Sequence, residues 1–405
     1  MVIFMHKIIE RKVFLLFFVV VFIMQILNVD LFYAANRPSM YSGAYALTDG
    51  STNRFLHGKN ENNPMANAST TKILTCIVTL ENSNLSDTVT ISANAKNQPK
   101  VRLGMGEGEQ YPITDLLYGL MLESYNDCAV AIAEHVAGNL EGFSKLLNHK
   151  AKEIGCEDTY FITPNGLDAE NGENFHHTTA TDLCKIMAYC VWESPQKDQF
   201  IKITQTPSYQ GTNGKNNYTF TNRNTLLSSM DGLISGKTGF TAKAGYCYVA
   251  AFEKDGERYC IALLACGWPN NKTYKWKDAR SLLEYGMENY NNVDIEEEMV
   301  KKTILIDGYV TKPRFKNLNR HMNIEIVGVF TECKMLLSKD ECVQQKIEIQ
   351  ENITLPIKRG QKLGEGYLYI GDHLIETIPI ISQNSADEWS LWNVFCSIIQ
   401  QYIDF

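Results

Sequence analysis

The stretch Asn67-Ala-Ser-Thr-Thr-Lys-Ile-Leu-Thr75 sets a serine three residues ahead of a lysine at the start of an apolar run. Residues three apart on a helix share a face, so the Ser69 hydroxyl and the Lys72 ammonium fall within reach of each other. A serine hydroxyl becomes a nucleophile when a base takes its proton, and a lysine is such a base only where its surroundings keep it neutral. The pair alone decides nothing, because a second Ser-x-x-Lys, Ser194 to Lys197, encloses Pro195.

Two further motifs follow in order, Ser124-Tyr125-Asn126 and Lys237-Thr238-Gly239. From Asp115 to Gly138 the apolar spacing is helical but broken by the polar Glu123-Ser-Tyr-Asn-Asp127, which predicts a loop between two helices. Lys237 stands ahead of Gly245–Phe252 and Arg258–Cys266, two apolar segments separated by polar Glu253–Glu257 that read as a hairpin of buried strands. A serine heading a helix, a serine in a polar break and a lysine before a core strand can line one cleft. Singly they read as a capping serine, a turn serine and a surface lysine. Ser-x-Asn recurs at Ser51, Ser92 and Ser382 without such surroundings, whereas Lys-Thr-Gly occurs once.

Outward from these motifs, Gly43–Asn60 reads as strand, turn and strand, and Thr179–Trp192 as a helix with threonine and aspartate near its start. Ala279–Tyr290 reads as a helix closing a first domain, with the acidic Asn291–Val300 as boundary. Val300–Ile381 alternates β-rich segments with turns and holds no catalytic cluster. The 405 residues suit two or three domains of ordinary globular composition, and a net charge of −8 without a long basic run argues against nucleic acid as main partner.

Lys7, Arg11 and Lys12 precede the apolar Val13–Leu27, which reads as an export signal, with Ala34 and Ala35 as a poor cleavage site that leaves an uncleaved anchor open. Of eleven cysteines, Cys76, Cys128, Cys184 and Cys190 read as small core residues. Cys333 and Cys342 could bridge a local hairpin or stay thiols. The last residues wind into a helix with Trp389, Trp392, Phe395, Ile399 and Ile403 on one broad apolar arc. That tail is too short and too polar on one side to span a bilayer, which suits it to the membrane surface.

The three motifs, with Ala68–Thr75, Asp115–Gly138, Thr163–Leu183, Gly232–Cys247 and Ala279–Tyr290, resemble those of the serine D-Ala-D-Ala carboxypeptidases, the low-molecular-mass penicillin-binding proteins, over nearly the whole chain. The resemblance implies an α+β fold: a DD-peptidase/β-lactamase-like domain, an antiparallel sheet flanked by helices with a helical subdomain, followed by a small all-β domain. The domains expected are a signal peptide over 1–35, a catalytic domain over 36–295, the all-β domain over 296–383 and an amphipathic helix over 384–405.

It also implies roles. Ser69 would attack the penultimate D-alanine carbonyl, with Lys72 taking its proton and Ser124 relaying one to the departing amine. Asn126 would hold the peptide and help position Lys72. Lys237, Thr238 and Lys275 would receive the terminal carboxylate, Gly239 would let the strand approach, and the backbone N–H groups of Ser69 and Phe240 would form the oxyanion hole. Water completes the reaction without metal or cofactor. The expected partners are peptidoglycan stem peptides, β-lactams as covalent inhibitors and a membrane surface, at the outer face of the cytoplasmic membrane. Tyr125 departs from a common glycine, Asn67 lies near a usual proline, and Lys275 stands for a usual arginine.

Three other readings stay open. A Ser-His-Asp triad could use His176 or His177 with Asp182, though no Gly-x-Ser-x-Gly elbow surrounds Ser69. A serine β-lactamase could use Glu170 in Glu170–Asn174. A silent cell-wall scaffold could keep the fold without turnover.

Overall fold

The computed structural model describes residues 38–172, 174–308, 320–387, 395 and 399. The expected signal peptide and most of the expected tail helix lie outside these residues; the described start of that tail, 384–387, is not helical, because Ala386 is buried and pairs with Ile357. The chain divides between Asn289 and Tyr290 into two compact units.

The first unit is built on a five-stranded antiparallel sheet of β1 (Ala44–Asp49), β2 (Phe55–Lys59), β3 (Leu233–Thr241), β4 (Gly245–Lys254) and β5 (Glu257–Leu264). Its order is β2-β1-β5-β4-β3, so the N-terminal hairpin joins a later three-stranded meander through the β1–β5 pair. Side chains alternate between the faces. Ala44, Ala46, Val249, Ala251, Cys260 and Ala262 belong to the helical core, and their small size lets α3 (Ala180–Ala188) lie close. Leu47 and Tyr259 meet Gly286 of α4 (Tyr274–Asn289) instead.

Helix α1 (Lys72–Asn82) runs through the middle of the helical core. Every residue from Lys72 to Leu80 is buried, which fits a helix with neighbours all round. Against it packs α2 (Asn126–Ala137). The expected loop ahead of α2 is shorter and more regular than the polar residues suggest. Ile113–Tyr118 is α-helical, Gly119–Glu123 is a π turn, and the backbone reverses at Ser124 with φ 66° and ψ 33°. The helix expected over Thr179–Trp192 is α only to Ala188 and then a π turn, with Thr179 Oγ1 accepting from the Asp182 N–H at 3.0 Å as its cap. Helix α4 starts at Tyr274, five residues before the expected Ala279.

The second unit pairs β6 (Tyr290–Ile295) with β9 (Cys333–Ser338). A five-stranded sheet follows, ordered β7-β8-β12-β11-β10, from β7 (Glu298–Gly308), β8 (Arg320–Phe330), β10 (Val343–Ile349), β11 (Lys362–Ile370) and β12 (His373–Ser382). Ile324, Ile326, Phe330, Leu363, Leu368 and Ile380 form its core. The boundary expected at 295/296 therefore moves to 289/290: the acidic residues beyond Asp294 mark a strand connection, because β6 already has its ladder partner within this unit. The ten cysteines among the described residues are all thiols, Cys333 and Cys342 included, and Cys76, Cys128, Cys184 and Cys190 are buried.

Candidate active site

Ser69 lies just ahead of the α-helix. Ala68–Thr71 is one turn of 3-10 helix leading into α1, entered through Ala68 at φ 48°. Residues three apart eclipse in such a turn, which brings Lys72 Nζ to 2.8 Å from Ser69 Oγ. Two groups fix the turn from outside. Asn67 Nδ2 donates to the Thr70 and Thr71 hydroxyls, at 2.9 Å each. The Pro164-Asn165-Gly166 segment lies against it so closely that a Cβ on Gly166, φ 81°, would stand 1.9 Å from the Ala68 carbonyl oxygen. The Asn165 carbonyl accepts from Lys72 Nζ at 3.0 Å and from Ser69 Oγ at 3.3 Å.

Both motif lysines are buried and reach the same hydroxyl. Lys237 Nζ donates to Ser124 Oγ at 2.9 Å and to the Thr238 carbonyl at 2.9 Å. Lys72 Nζ lies 3.4 Å from Ser124 Oγ and 2.8 Å from Asn126 Oδ1. Burial, and after it the charge of Lys237, holds Lys72 well below the ordinary lysine range. Burial lowers Lys237 to about 7. The nearby Asp127 carboxylate, held by the N–H groups of Leu103, Gly104 and Cys128, pulls Lys72 the other way as a smaller influence than burial or Lys237. A neutral Lys72 can accept the Ser69 proton along the line that now joins the two groups.

Ser69, Ser124, Asn126, Thr238, Gly239, Phe240 and Lys275 line one cleft of about 500 Å³. Strand β3 forms one wall and can do so because residue 239 has no side chain. A Cβ there would lie 2.9 Å from the Asn67 carbonyl and 3.0 Å from the Ser69 nitrogen. Lys275 Nζ donates to the Lys272 carbonyl at 2.6 Å and sits 4.7 and 4.6 Å from the ring centres of Tyr246 and Trp276. Lys100, Glu123 and Arg223 add further charged groups to the lining. Sequence reasoning assigned no role to Asn165, Asp127, Glu123 or Arg223; the Gly after Asn165 was the only local signal of a close backbone approach.

The triad and Glu170 readings lose their geometry. His176 is buried with Nδ1 accepting from the Ile162 and Thr163 N–H groups at 3.0 and 3.3 Å, which leaves Nε2 to donate to Thr71 Oγ1 at 2.8 Å, not to Ser69. Asp182 instead accepts from the N–H groups of Glu157 and Asp158 and from the Thr159 hydroxyl. Glu170 pairs with Lys243 at 3.3 Å in an exposed hairpin and is not among the residues lining the Ser69 cleft. Ser194 is buried, donating to Glu81 at 2.6 Å, and Lys197 turns to the Trp192 carbonyl. Among the described residues no three His, Cys, Asp or Glu side chains converge as metal ligands.

The family described as D-alanyl-D-alanine carboxypeptidase matches residues 32–265. The D-alanyl-D-alanine carboxypeptidase DacF of Bacillus subtilis is 28% identical over 348 residues, 83% of this chain and 84% of its own length. The DacD enzyme of Escherichia coli is 29% identical over 375 residues, 88% of this chain and 89% of its own. Among solved structures, penicillin binding protein 5 from Haemophilus influenzae superposes with a TM-score of 0.66 at 23% identity, covering 87% of this chain and 99% of that one, a likeness of fold.

Proposed function

The chain belongs to the D-alanyl-D-alanine carboxypeptidase family and is a serine hydrolase of that kind, and from that premise we propose that Ser69 carries the acyl group during cleavage of D-Ala-D-Ala ends of peptidoglycan stem peptides. One observation carries this reading: a nucleophile, a buried low-pKa lysine, a bridging serine and a second lysine are joined in one hydrogen-bonded set.

Neutral Lys72 takes the Ser69 proton as Oγ adds to the penultimate D-alanine carbonyl. The backbone N–H groups of Ser69 and Phe240 receive the oxyanion. As the C–N bond breaks, Ser124 passes the proton from Lys72 to the departing amine. Lys237, Thr238 and Lys275 hold the terminal carboxylate, while Asn126 holds the peptide and Lys72. Water then attacks the ester with Lys72 again as base, returning free Ser69.

Release of D-alanine from a synthetic D-Ala-D-Ala peptide is the direct test. Intact-mass analysis after penicillin treatment is expected to show one adduct, on the Ser69 peptide, stable over the time of the assay. Rapid release of that adduct indicates a β-lactamase, absence of labelling a scaffold, and an adduct on Ser194 or on a Ser69→Ala variant overturns the assignment.

The site of action follows from the termini. An export signal over 1–35 delivers the enzyme to the outer face of the membrane, and the tail beyond Asp387 rests in the interface. Phe395 and Ile399, four residues apart, are helical and 53% and 39% exposed. Among the described residues no helix is long and apolar enough to cross a membrane. The tail from Glu388 to Phe405 holds no lysine or arginine, so its attachment is hydrophobic and insensitive to salt. Deleting Glu388–Phe405 from the signal-cleaved protein, which leaves the Ala386–Ile357 pair in place, is expected to release it from membranes with soluble-peptide cleavage intact. Release of the full-length protein by salt alone contradicts this reading.

A further inference from the structure

Both lysines of the site converge on Ser124, yet its backbone is left-handed at φ 66° and ψ 33°. That conformation is disfavoured for a residue with a Cβ and persists where the surroundings fix it. The residues on either side of Ser124 supply the fixing. Glu123, 8% exposed, accepts from the Thr221 N–H at 2.8 Å through Oε1. Its Oε2 accepts from Arg223 Nε at 2.8 Å and lies 2.7 Å from the second guanidinium nitrogen. The Arg223 N–H adds a bond to the Leu122 carbonyl at 3.1 Å. On the other side the Tyr125 ring sets its edge against Phe220, 5.6 Å between centres.

Thr221 and Phe220 belong to one strand, Asn217–Thr221, paired with Ser208–Thr212. The Tyr209 and Tyr218 hydroxyls of that hairpin both donate to Asp115, at 2.5 Å each, on the helix that leads to the π turn before Ser124. The hairpin thus grips the turn at three points. The carboxylate of Glu123 is satisfied by charged and backbone donors, the condition under which a buried charge holds geometry rather than unfolding it.

We infer that Glu123 is a positioning residue: clamped by Arg223 and the Thr221 N–H, it holds the left-handed turn that aims Ser124 Oγ between Lys72 and Lys237. The inference rests on the role given above to Ser124. Arg223, though it lines the cleft, acts here through Glu123 and not on the substrate.

The test uses the full chain, with the rate of acylation by a fluorescent penicillin and kcat and KM for D-alanine release. In Glu123→Ala, acylation and kcat are expected to fall about tenfold or more, the scale on which small misplacements are felt, with KM nearly unchanged. Glu123→Gln, which keeps an oxygen for the Thr221 N–H, is expected to recover most of the loss. Arg223→Ala, which leaves the Thr221 N–H bond in place, is expected to lose less than Glu123→Ala, and the double variant to be no slower than Glu123→Ala. Should Glu123→Ala fail to fold, Arg223→Ala carries the comparison, since its side chain is 67% exposed. Wild-type acylation in either folded variant, losses that multiply in the double variant, or a change in KM alone overturns the inference. A wild-type protein that is acylated but releases no D-alanine sinks the proposed activity and leaves these acylation ratios readable.

Discussion

At the scale of single residues, the site depends on two ammonium groups that cannot both be charged cheaply in one buried cleft. Acylation needs Lys72 neutral, and carboxylate binding needs Lys237 charged. As pH falls through the lowered pKa of Lys72 the base is lost; as pH rises past about 7, Lys237 loses its proton in the free enzyme. The pair titrates together, so kcat/KM is expected to be bell-shaped with the alkaline limb beginning near pH 7. Lys237→Arg is expected to be slower yet flat above that pH, because a guanidinium keeps its charge; survival of the alkaline limb in that variant assigns it to another group. Lys72→Ala is expected to lose about 100-fold or more in acylation. Gly239→Ala tests a different force. Its added Cβ meets the Asn67 carbonyl and the Ser69 nitrogen at 2.9 and 3.0 Å, so a folded variant acylating at the wild-type rate would show that β3 can retreat without cost. The motif spacing makes Ser69, Lys72 and Lys237 legible, but Asn165 enters through a backbone carbonyl, which has no side-chain signature.

At the scale of elements, short rigid turns do the placing, and the histidine that suggested a triad serves one of them. His176 bonds Thr71 on one ring nitrogen and the Ile162 and Thr163 N–H groups on the other, so it joins the Ser69 turn to the segment carrying Asn165. Both bonds use the neutral ring, and burial lowers its pKa from 6.5 to about 3. The unfolded chain takes up the proton below about 6.5 while the folded one refuses it until about 3, so stability falls as pH drops through that window. The slope approaches about 1.4 kcal/mol per pH unit. Thermal melts from pH 7 to 4 are expected to show the decline, and His176→Gln to melt lower at pH 7 but with a shallower slope. An unchanged slope in that variant places the acid sensitivity elsewhere. The polar break Glu123–Asp127 marks the second motif in the sequence, whereas the π turn before it is held by contacts distant in sequence, the hairpin 208–221 binding Asp115 ahead of it and Glu123 at its end.

At the scale of the whole molecule, every residue given a catalytic or binding role lies before Asn289, where the first unit ends. A chain truncated after Asn289 is therefore expected to fold and to hydrolyse small soluble peptides at the full-length rate; ending it inside Tyr290–Ile295 would leave a strand without its partner β9. A truncated protein that is folded but inert would mean that the cleft borrows from the β unit. The three motifs and the β-rich character of the second unit are local properties of spacing and polarity, so the sequence by itself determined them, and the fold class came with the family resemblance those motifs carry. The boundary at 289/290 was beyond it, because whether Tyr290–Ile295 closes one domain or opens the next depends on which distant strand pairs with it. Tertiary structure alone also decided the joining of β1 to β5 and the left-handed Ser124 held by Glu123 and Arg223. Such contacts bridge residues about a hundred positions apart or more, and their energy comes from burial and hydrogen bonding that no window of sequence contains.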